Sequence, residues 1–201
     1  MSNLICQFLN CQKPAITHLL RVRERSLVEE SHFCGDHGQA TFGDYRSRVR
    51  EGTQGVTSTN IDTISILLFD VSILYCKDAP EGPWQIYLEE TNGVRGLGIN
   101  SGPFECLALF RKFRHCDMPR PLTHDAMAAA ITALGGRLQH IVIDKFFPSQ
   151  KMFEAKLHIQ QMNTTVVVDV RPSDAIILAV ICDAPIMVSN EVLADGLGGT
   201  P

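Results

Sequence analysis

An uninterrupted apolar segment near the end of the chain constrains the fold more than any other feature of this sequence. Residues 175–182, AIILAVIC, contain no polar side chain apart from a thiol, so a helix built from them is hydrophobic on every face. Such a helix has to be enclosed by protein on all sides. The strand-like run TVVVDVR comes directly before it, and Pro172 suits the first position of a helix. We therefore predict a strand that leads straight into a buried helix.

Length and charge limit the classes of protein to which this chain can belong. Its 201 residues suffice for one full hydrophobic core with a small appendage, or for two small domains. The formal net charge of -4 argues against a strongly cationic nucleic-acid binder, because neutralising phosphates requires clustered Lys and Arg. A local basic patch is still compatible with an acidic protein, and RKFRH at 111–115 with Arg120 is the compact candidate.

The sequence contains no evident secretory signal and no evident membrane-spanning segment. Its first residues, MSNLICQFLNCQ, lack the charged and apolar regions of a secretory signal. No stretch approaches the roughly 18 uncharged apolar residues of a membrane span. The seven cysteines are odd in number and scattered, which is not typical of a disulfide framework. We expect a cytoplasmic protein with no membrane partner.

Composition divides the chain into three regions. Residues 1–40 hold three cysteines and three histidines, residues 41–62 have the character of a linker, and residues 63–197 alternate apolar runs with turn residues. The pattern of the last region predicts an α+β domain whose largely antiparallel sheet packs with two to three helices. Together with the cysteine-rich start, this predicts a small zinc-knuckle-like module at 1–40 that precedes a larger domain at 63–197.

Apolar periodicity places the elements of the larger domain. TISILLFDVSILYC predicts a strand, WQIYLEE and VRGLGI a hairpin, and 102–116 a helix. A second helix is predicted over 123–134, with Thr123 as its N-cap and a buried stripe formed by Met127, Ala130, Ile131 and Leu134. RLQHIVIDKFF, MFEAKLHIQ and TTVVVDV predict three strands joined by short turns, and APIMV predicts a short closing strand after the buried helix.

Four residues near the N-terminus have the types and spacing of zinc ligands. Zinc prefers four nitrogen or sulfur donors, and short spacers let one turn present two of them. A segment of about 40 residues has too little core to be stable alone, so a metal would supply folding energy. The predicted ligands are Cys6, Cys11, Cys34 and His37, with His18 and His32 as substitutes and a hairpin between the two pairs. The alternative is three buried thiols and a surface histidine.

The junction between the last strand and the buried helix gathers ionisable side chains. Side chains alternate along a strand, so Asp169 and Arg171 lie on one face and are predicted to form an ion pair. Ser173 and Asp174 fall in the first turn of the helix, where its dipole stabilises an anion. Such a set suits a divalent cation and a phosphodiester. The alternative is that Asp174 caps the helix and that the Asp–Arg pair is structural.

Two further polar positions open the other predicted helices. In PRPLTHDAM, His124 and Asp125 follow a rigid Pro-x-Pro turn, and in GPFECLALF Glu105 lies in a first helical turn. An adjacent His–Asp pair is similar to a motif of metal phosphohydrolases, but further histidines at matching positions are missing. Helix capping and stabilisation by the helix dipole are the alternatives for all three residues.

Several of these segments together resemble one family. RPLTHDAM, the F-x-A of MFEAKL, VDVRPSDAIILA and APIMVS are similar to the bifunctional nuclease domain, a small α+β domain found in bacteria and plants. The resemblance covers residues 63–192. The family takes its name from plant members that degrade both DNA and RNA. The resemblance implies a nuclease of broad substrate range that uses a divalent metal, Mg or Mn. It therefore also implies nucleic acid as the partner.

Carried over position by position, the family's polar pattern falls on seven residues. They are Glu105, His124, Asp125, Asp169, Arg171, Ser173 and Asp174. The resemblance assigns no roles to them, and we predict that Asp169 and Asp174 bind the metal, that Arg171 contacts the phosphate and that His124 carries a proton. The competing hypothesis is a non-catalytic interaction or regulatory protein that forms homo-oligomers and carries a structural zinc knuckle. We expect a homo-oligomer on either hypothesis, because a small sheet with apolar edges needs covering.

Overall fold

The fold is seen in a computed structural model, which describes residues 5, 7, 10–13, 17–23, 26–33, 69–76, 85–90, 96–116 and 118–196. The chain forms two compact units. The predicted linker at 41–62 lies outside the described residues, so the predicted domain boundaries stay predictions. Among the described helices, none combines the length and the apolar character that a membrane crossing requires.

The first unit is built on a five-stranded sheet. Its strands are β1 (Thr17–Arg23), β2 (Ser26–Phe33), β3 (Phe69–Cys76), β4 (Gln85–Glu90) and β5 (Gly96–Asn100), in the order β2-β1-β3-β4-β5. Helix α1 (Pro103–Phe113) follows β5, confirms the helix predicted over 102–116 and buries Cys106, Leu109 and Phe113. The predicted hairpin of β4 and β5 is confirmed, as is the hairpin of β1 and β2 between the proposed zinc-ligand pairs.

The second unit contains the buried helix. Helix α2 (Thr123–Ala133) leads into three antiparallel strands, β6 (Gly136–Phe147), β7 (Met152–Gln161) and β8 (Thr164–Val170). Helix α3 (Pro172–Cys182), strand β9 (Ile186–Val188) and helix α4 (Asn190–Gly196) complete it. The strand order is β8-β7-β6-β9, which makes β8 and β9 the two edges of the sheet.

Helix α3 is buried, as its sequence predicts. Ile176, Ile177, Leu178 and Ala179 expose none of their surface, and the helix contacts β6 and β7. Pro172 takes the first helical position, where the missing N–H costs nothing. The helix ends at Asp183, whose left-handed φ of 59° lets the chain reverse toward β9.

Helix α2 buries a different face from the one predicted. Only Ala128 is buried, while Ala130 is exposed and Leu134, which follows the helix as its C-cap, is 75% exposed. The inward face is instead the row of His124, Met127, Ala128 and Ile131, which has the i, i+3, i+4, i+7 spacing of one helix face. The N-cap is Leu122 and not Thr123.

The predicted fold class is confirmed in its coarser form. The chain is a mixture of helices and sheets whose strand pairings are mostly antiparallel, but the described residues contain two sheets and four helices, more than the two to three predicted. Strand β9 pairs in parallel with β6, because the α3 crossover returns the chain in the direction of β6. The predicted zinc-knuckle-like module is not shown, since three of its four proposed zinc ligands, Cys6, Cys34 and His37, lie outside the described ranges.

Candidate functional site

The first turns of α2 and α3 bring three of the predicted site residues together. His124 lies on the inward face of α2, which contacts α3, and Asp174 lies in the first turn of α3. Arg171 is the N-cap residue of α3, with extended backbone angles. We call His124, Arg171 and Asp174 the junction cluster. Residues separated by 50 positions in the sequence thus meet where two helices begin.

Asp174 is the centre of the junction cluster. Its Oδ1 lies 3.0 Å from Nε2 of His124 and accepts a hydrogen bond of 3.0 Å from Nη2 of Arg171. Its Oδ2 accepts a second hydrogen bond of 2.7 Å from Nε of Arg171. Two parallel N–H···O contacts of this kind are the strong, geometrically specific form of an Arg–carboxylate pair. Both carboxylate oxygens are therefore held in position.

Burial and charge act in opposite directions on the carboxyl group of Asp174. Partial burial works to raise its pKa, but the hydrogen bonds from Arg171 and His124, together with the positive charge of the Arg171 guanidinium, outweigh burial and hold the pKa below the usual value. The group is therefore ionised at neutral pH and can only accept hydrogen bonds. It follows that Nε2 of His124 donates the hydrogen bond to Asp174, which leaves Nδ1 as the ring nitrogen that faces away from this contact.

The three side chains differ in their access to solvent. The side chains of His124 and Asp174 are 16% and 19% exposed, whereas that of Arg171 is 68% exposed. Ser173, between Arg171 and Asp174, is buried. The arrangement thus offers a positioned histidine beside a guanidinium that an anion in solution can reach.

Asp169 does not form the ion pair with Arg171 that strand alternation predicts. Arg171 pairs with Asp174 instead, because it caps the helix and no longer follows the alternation of β8. Lys156 lies across from Asp169 in the register, but it is held by Asp144 at 2.6 Å and by Glu154 at 3.1 Å. In the part of the chain that the structure describes, the exposed Asp169 side chain therefore has no ion pair.

The positions of Asp125 and Glu105 agree with the alternatives to a catalytic role, namely helix capping and stabilisation by the helix dipole. Oδ2 of Asp125 accepts a hydrogen bond of 3.1 Å from the backbone N–H of Leu122, which stabilises the start of α2. Glu105 lies in the first turn of α1, in the first unit. It adjoins Cys106, where burial above all raises the pKa of the thiol to about 12, so this cysteine stays protonated.

The donor set of the described residues fits a divalent metal poorly. No three His, Cys, Asp or Glu side chains within the described ranges gather as metal ligands do. A metal at Asp174 would compete with His124 and Arg171 for oxygens that already accept hydrogen bonds. Of the four proposed zinc ligands only Cys11 is described, and Cys6, Cys34 and His37 lie outside the described residues.

Comparison with known proteins settles the family. The pattern of the bifunctional nuclease domain matches residues 86–197, which is more than half of the chain. The chain belongs to the bifunctional nuclease domain family. Two relatives are the uncharacterized proteins MT1877 and Rv1829 of Mycobacterium tuberculosis, one from each of two strains. Each is 33% identical over 117 residues, which cover 58% of this chain and 68% of the relative.

The bifunctional nuclease domain contains the whole junction cluster. The match begins at residue 86, within β4, whereas the sequence resemblance was predicted from residue 63. All seven residues that the resemblance singles out lie inside the matched range, and the proposed zinc ligands lie outside it. The catalytic roles of these seven residues stay predictions.

Sequence reasoning missed the contact between His124 and Asp174. The signal that could have found it is the helical row that contains His124, Met127, Ala128 and Ile131. A histidine that shares a face with two large apolar residues points inward, and a buried polar group needs a partner. The carboxylate in the first turn of the neighbouring helix supplies that partner.

Proposed function

We propose that this protein is a nuclease that hydrolyses phosphodiester bonds of DNA, RNA or both. The observation that carries the proposal is the junction cluster, in which a carboxylate fixes a histidine beside an exposed guanidinium. A proton carrier and a phosphate contact are two of the groups that phosphodiester hydrolysis needs. Membership of the bifunctional nuclease domain family supports the same class of reaction.

Each residue of the junction cluster has a chemical role in this proposal. Nδ1 of His124 accepts a proton from the attacking water as the new P–O bond forms, and Asp174 stabilises the imidazolium that results. The guanidinium of Arg171 contacts the non-bridging phosphate oxygens, where negative charge increases in the transition state. As the P–O bond to the leaving group breaks, water protonates the departing oxygen, and the imidazolium returns its proton to solvent.

A divalent ion is a separate part of the proposal. The sequence-based hypothesis of Mg or Mn held by Asp169 and Asp174 stays a prediction, and the proton transfers described above do not pass through it. If bound, such an ion would supply positive charge to the phosphate. Asp174 would then have to exchange one of its present hydrogen bonds for the metal.

A non-catalytic interaction protein is the second candidate function. It is favoured by the complete pairing of Asp174, since both oxygens accept hydrogen bonds from groups of the protein itself. A carboxylate in the first turn of a helix with an arginine three residues before it is also an ordinary structural arrangement. Cleavage assays separate the two candidates.

Wild-type protein is expected to cleave at least one of four substrates, namely single- and double-stranded DNA and RNA. The assay compares buffer with Mg, with Mn and with chelator, which tests the metal hypothesis directly. A His124→Asn preparation purified in parallel should be slower by about 10²–10⁴-fold, because it lacks the proton carrier. Equal cleavage by both preparations would assign the activity to a contaminant, and no cleavage under any condition would favour the interaction protein.

We propose in addition that the N-terminal segment binds one structural zinc through Cys6, Cys11, Cys34 and His37. Elemental analysis of purified wild-type protein is expected to give about one zinc per chain, as a single four-donor site requires. A Cys34→Ser variant should lose that zinc, whereas Cys182→Ser in α3 should retain it. Metal-free protein in which Cys6, Cys11 and Cys34 all react freely with a thiol reagent would refute the site.

The remaining proposals concern partners and location. Nucleic acid is the proposed partner, and the second unit exposes several cations besides Arg171 that suit a phosphate backbone, among them Arg114, Arg120 and Arg137. A cytoplasmic location and a homo-oligomer stay predictions from the sequence.

A further inference from the structure

Among the described strands, β8 is an edge strand with few of the features by which natural edges avoid pairing. It contains neither Lys nor Pro, and six of its seven residues are valine or threonine. Its first four residues are exposed, with Val166 at 41% and Val167 at 50%. Its run of β-branched residues at 164–168 has an outer side that no described strand pairs with, and such an edge is a template for another strand.

The other edge of the same sheet is better protected. Strand β9 has only three residues, and helix α4 follows it directly and contacts the neighbouring strand β6. A strand of that length offers few backbone groups for pairing. Within the second unit, β8 is therefore the edge at which a second sheet can be added.

An exposed apolar side chain extends the surface of β8 at one end. Met162, in the turn between β7 and β8, is 89% exposed. We call Met162, Val166 and Val167 the β8 edge patch.

We propose that β8 pairs with β8 of a second copy of this chain, antiparallel about a two-fold axis at Val167, to join two four-stranded sheets into one. The sequence of the strand is self-complementary in this register. It sets Val167 against the partner's Val167, Val166 against the partner's Val168, Thr165 against the partner's Asp169 and Thr164 against the partner's Val170.

The charge pattern of β8 favours a second copy of this chain as the strand that pairs with it. The single charged residue of β8, Asp169, faces a threonine hydroxyl that can donate a hydrogen bond to it, and no like charges face each other. Two-fold pairing is also isologous, so one set of contacts forms twice and closes the assembly at a dimer. A stable interface requires about 1,000 Å² or more, which the strand alone does not reach and to which the β8 edge patch adds. The proposal is independent of nuclease activity, because it rests on the exposure and composition of β8 alone.

Sedimentation velocity of the full-length protein over a range of concentrations tests the proposal. Wild type is expected to be dimeric, and Val167→Lys is expected to weaken the dimer by at least about a hundredfold, because two ammonium groups would meet at the axis. Met152→Lys, which adds the same charge at an exposed position at the start of β7, should leave the dimer unchanged.

A cysteine at the axis tests the register. Directly opposite residues of paired strands have Cβ atoms about 4.5–5.5 Å apart, so Val167→Cys should cross-link two chains under mild oxidation or with a short thiol cross-linker. Wild type and Met152→Cys are the controls for cross-links through the native cysteines, and both should cross-link far less. Monomeric wild-type protein would overturn the proposal, as would a dimer that resists Val167→Lys or that Val167→Cys fails to link.

Discussion

Asp174→Asn is expected to lower the rate of phosphodiester cleavage by about 10²–10⁴-fold, the usual contribution of positioned acid–base catalysis. The neutral amide no longer stabilises the imidazolium of His124, and it can hold the ring in the wrong tautomer by donating to Nε2. It also loses the ionic part of the contact to Arg171. The measurement is the initial rate on whichever nucleic acid the wild-type protein cleaves.

The stability of the same variant distinguishes catalysis from helix capping. Because Arg171 is 68% exposed, its pair with Asp174 is screened by solvent, and we expect the free energy of unfolding to fall by about 1 kcal/mol or less. Glu191→Gln is the matched control, since it removes an exposed carboxylate from the first turn of α4 in the same unit. A large loss of stability in Asp174→Asn with cleavage unaltered would show that Asp174 is a cap.

The second large effect is expected in the core of the second unit. Ile177→Ala should lower its free energy of unfolding by about 2–5 kcal/mol, because the side chain exposes none of its surface and its removal leaves a cavity. That range is a large fraction of the typical stability of a domain. Chemical denaturation followed by circular dichroism gives the change directly.

Met152→Ala is the control for the core substitution. Met152 is an apolar residue of the same unit but is 55% exposed, so its truncation should cost far less, within about 0.5 kcal/mol. Similar losses for the two variants would mean that α3 is not the enclosed centre of the domain. The comparison thus tests the burial of α3 and does not test the proposed mechanism of phosphodiester hydrolysis.

The order of elements was predictable because their patterns are local. The strands β6, β7 and β8 and the helix α3 all lie where the apolar runs predict them, and Pro172 takes the helical position expected of it. Turn residues and periodicity depend on near neighbours in the chain, so a single sequence suffices to read them. The family resemblance, too, rested on such local segments and is confirmed by the match.

The contacts of the candidate site were harder to predict because they depend on tertiary structure. The apolar spacing of α2 favoured a stripe through Leu134, but the helix turns His124 and Ala128 toward α3. Likewise, Arg171 is the N-cap residue of α3 and no longer follows the alternation of β8. It therefore pairs with Asp174 and not with Asp169, the predicted partner. The local sequence pattern predicts neither the inward face of α2 nor the partner of Arg171, because each depends on contact with a second element of the fold.

Prolines stand at the start of both helices that form the junction cluster. Pro121 comes directly before the N-cap residue of α2, and Pro172 is the first residue of α3. A proline ring fixes its own φ and disfavours helix in the residue before it, so α2 cannot extend backward past Pro121 and α3 cannot extend backward past Pro172. The imidazole and the carboxylate are thereby preorganised, and an incoming anion would find them in place without the entropic cost of ordering a loop.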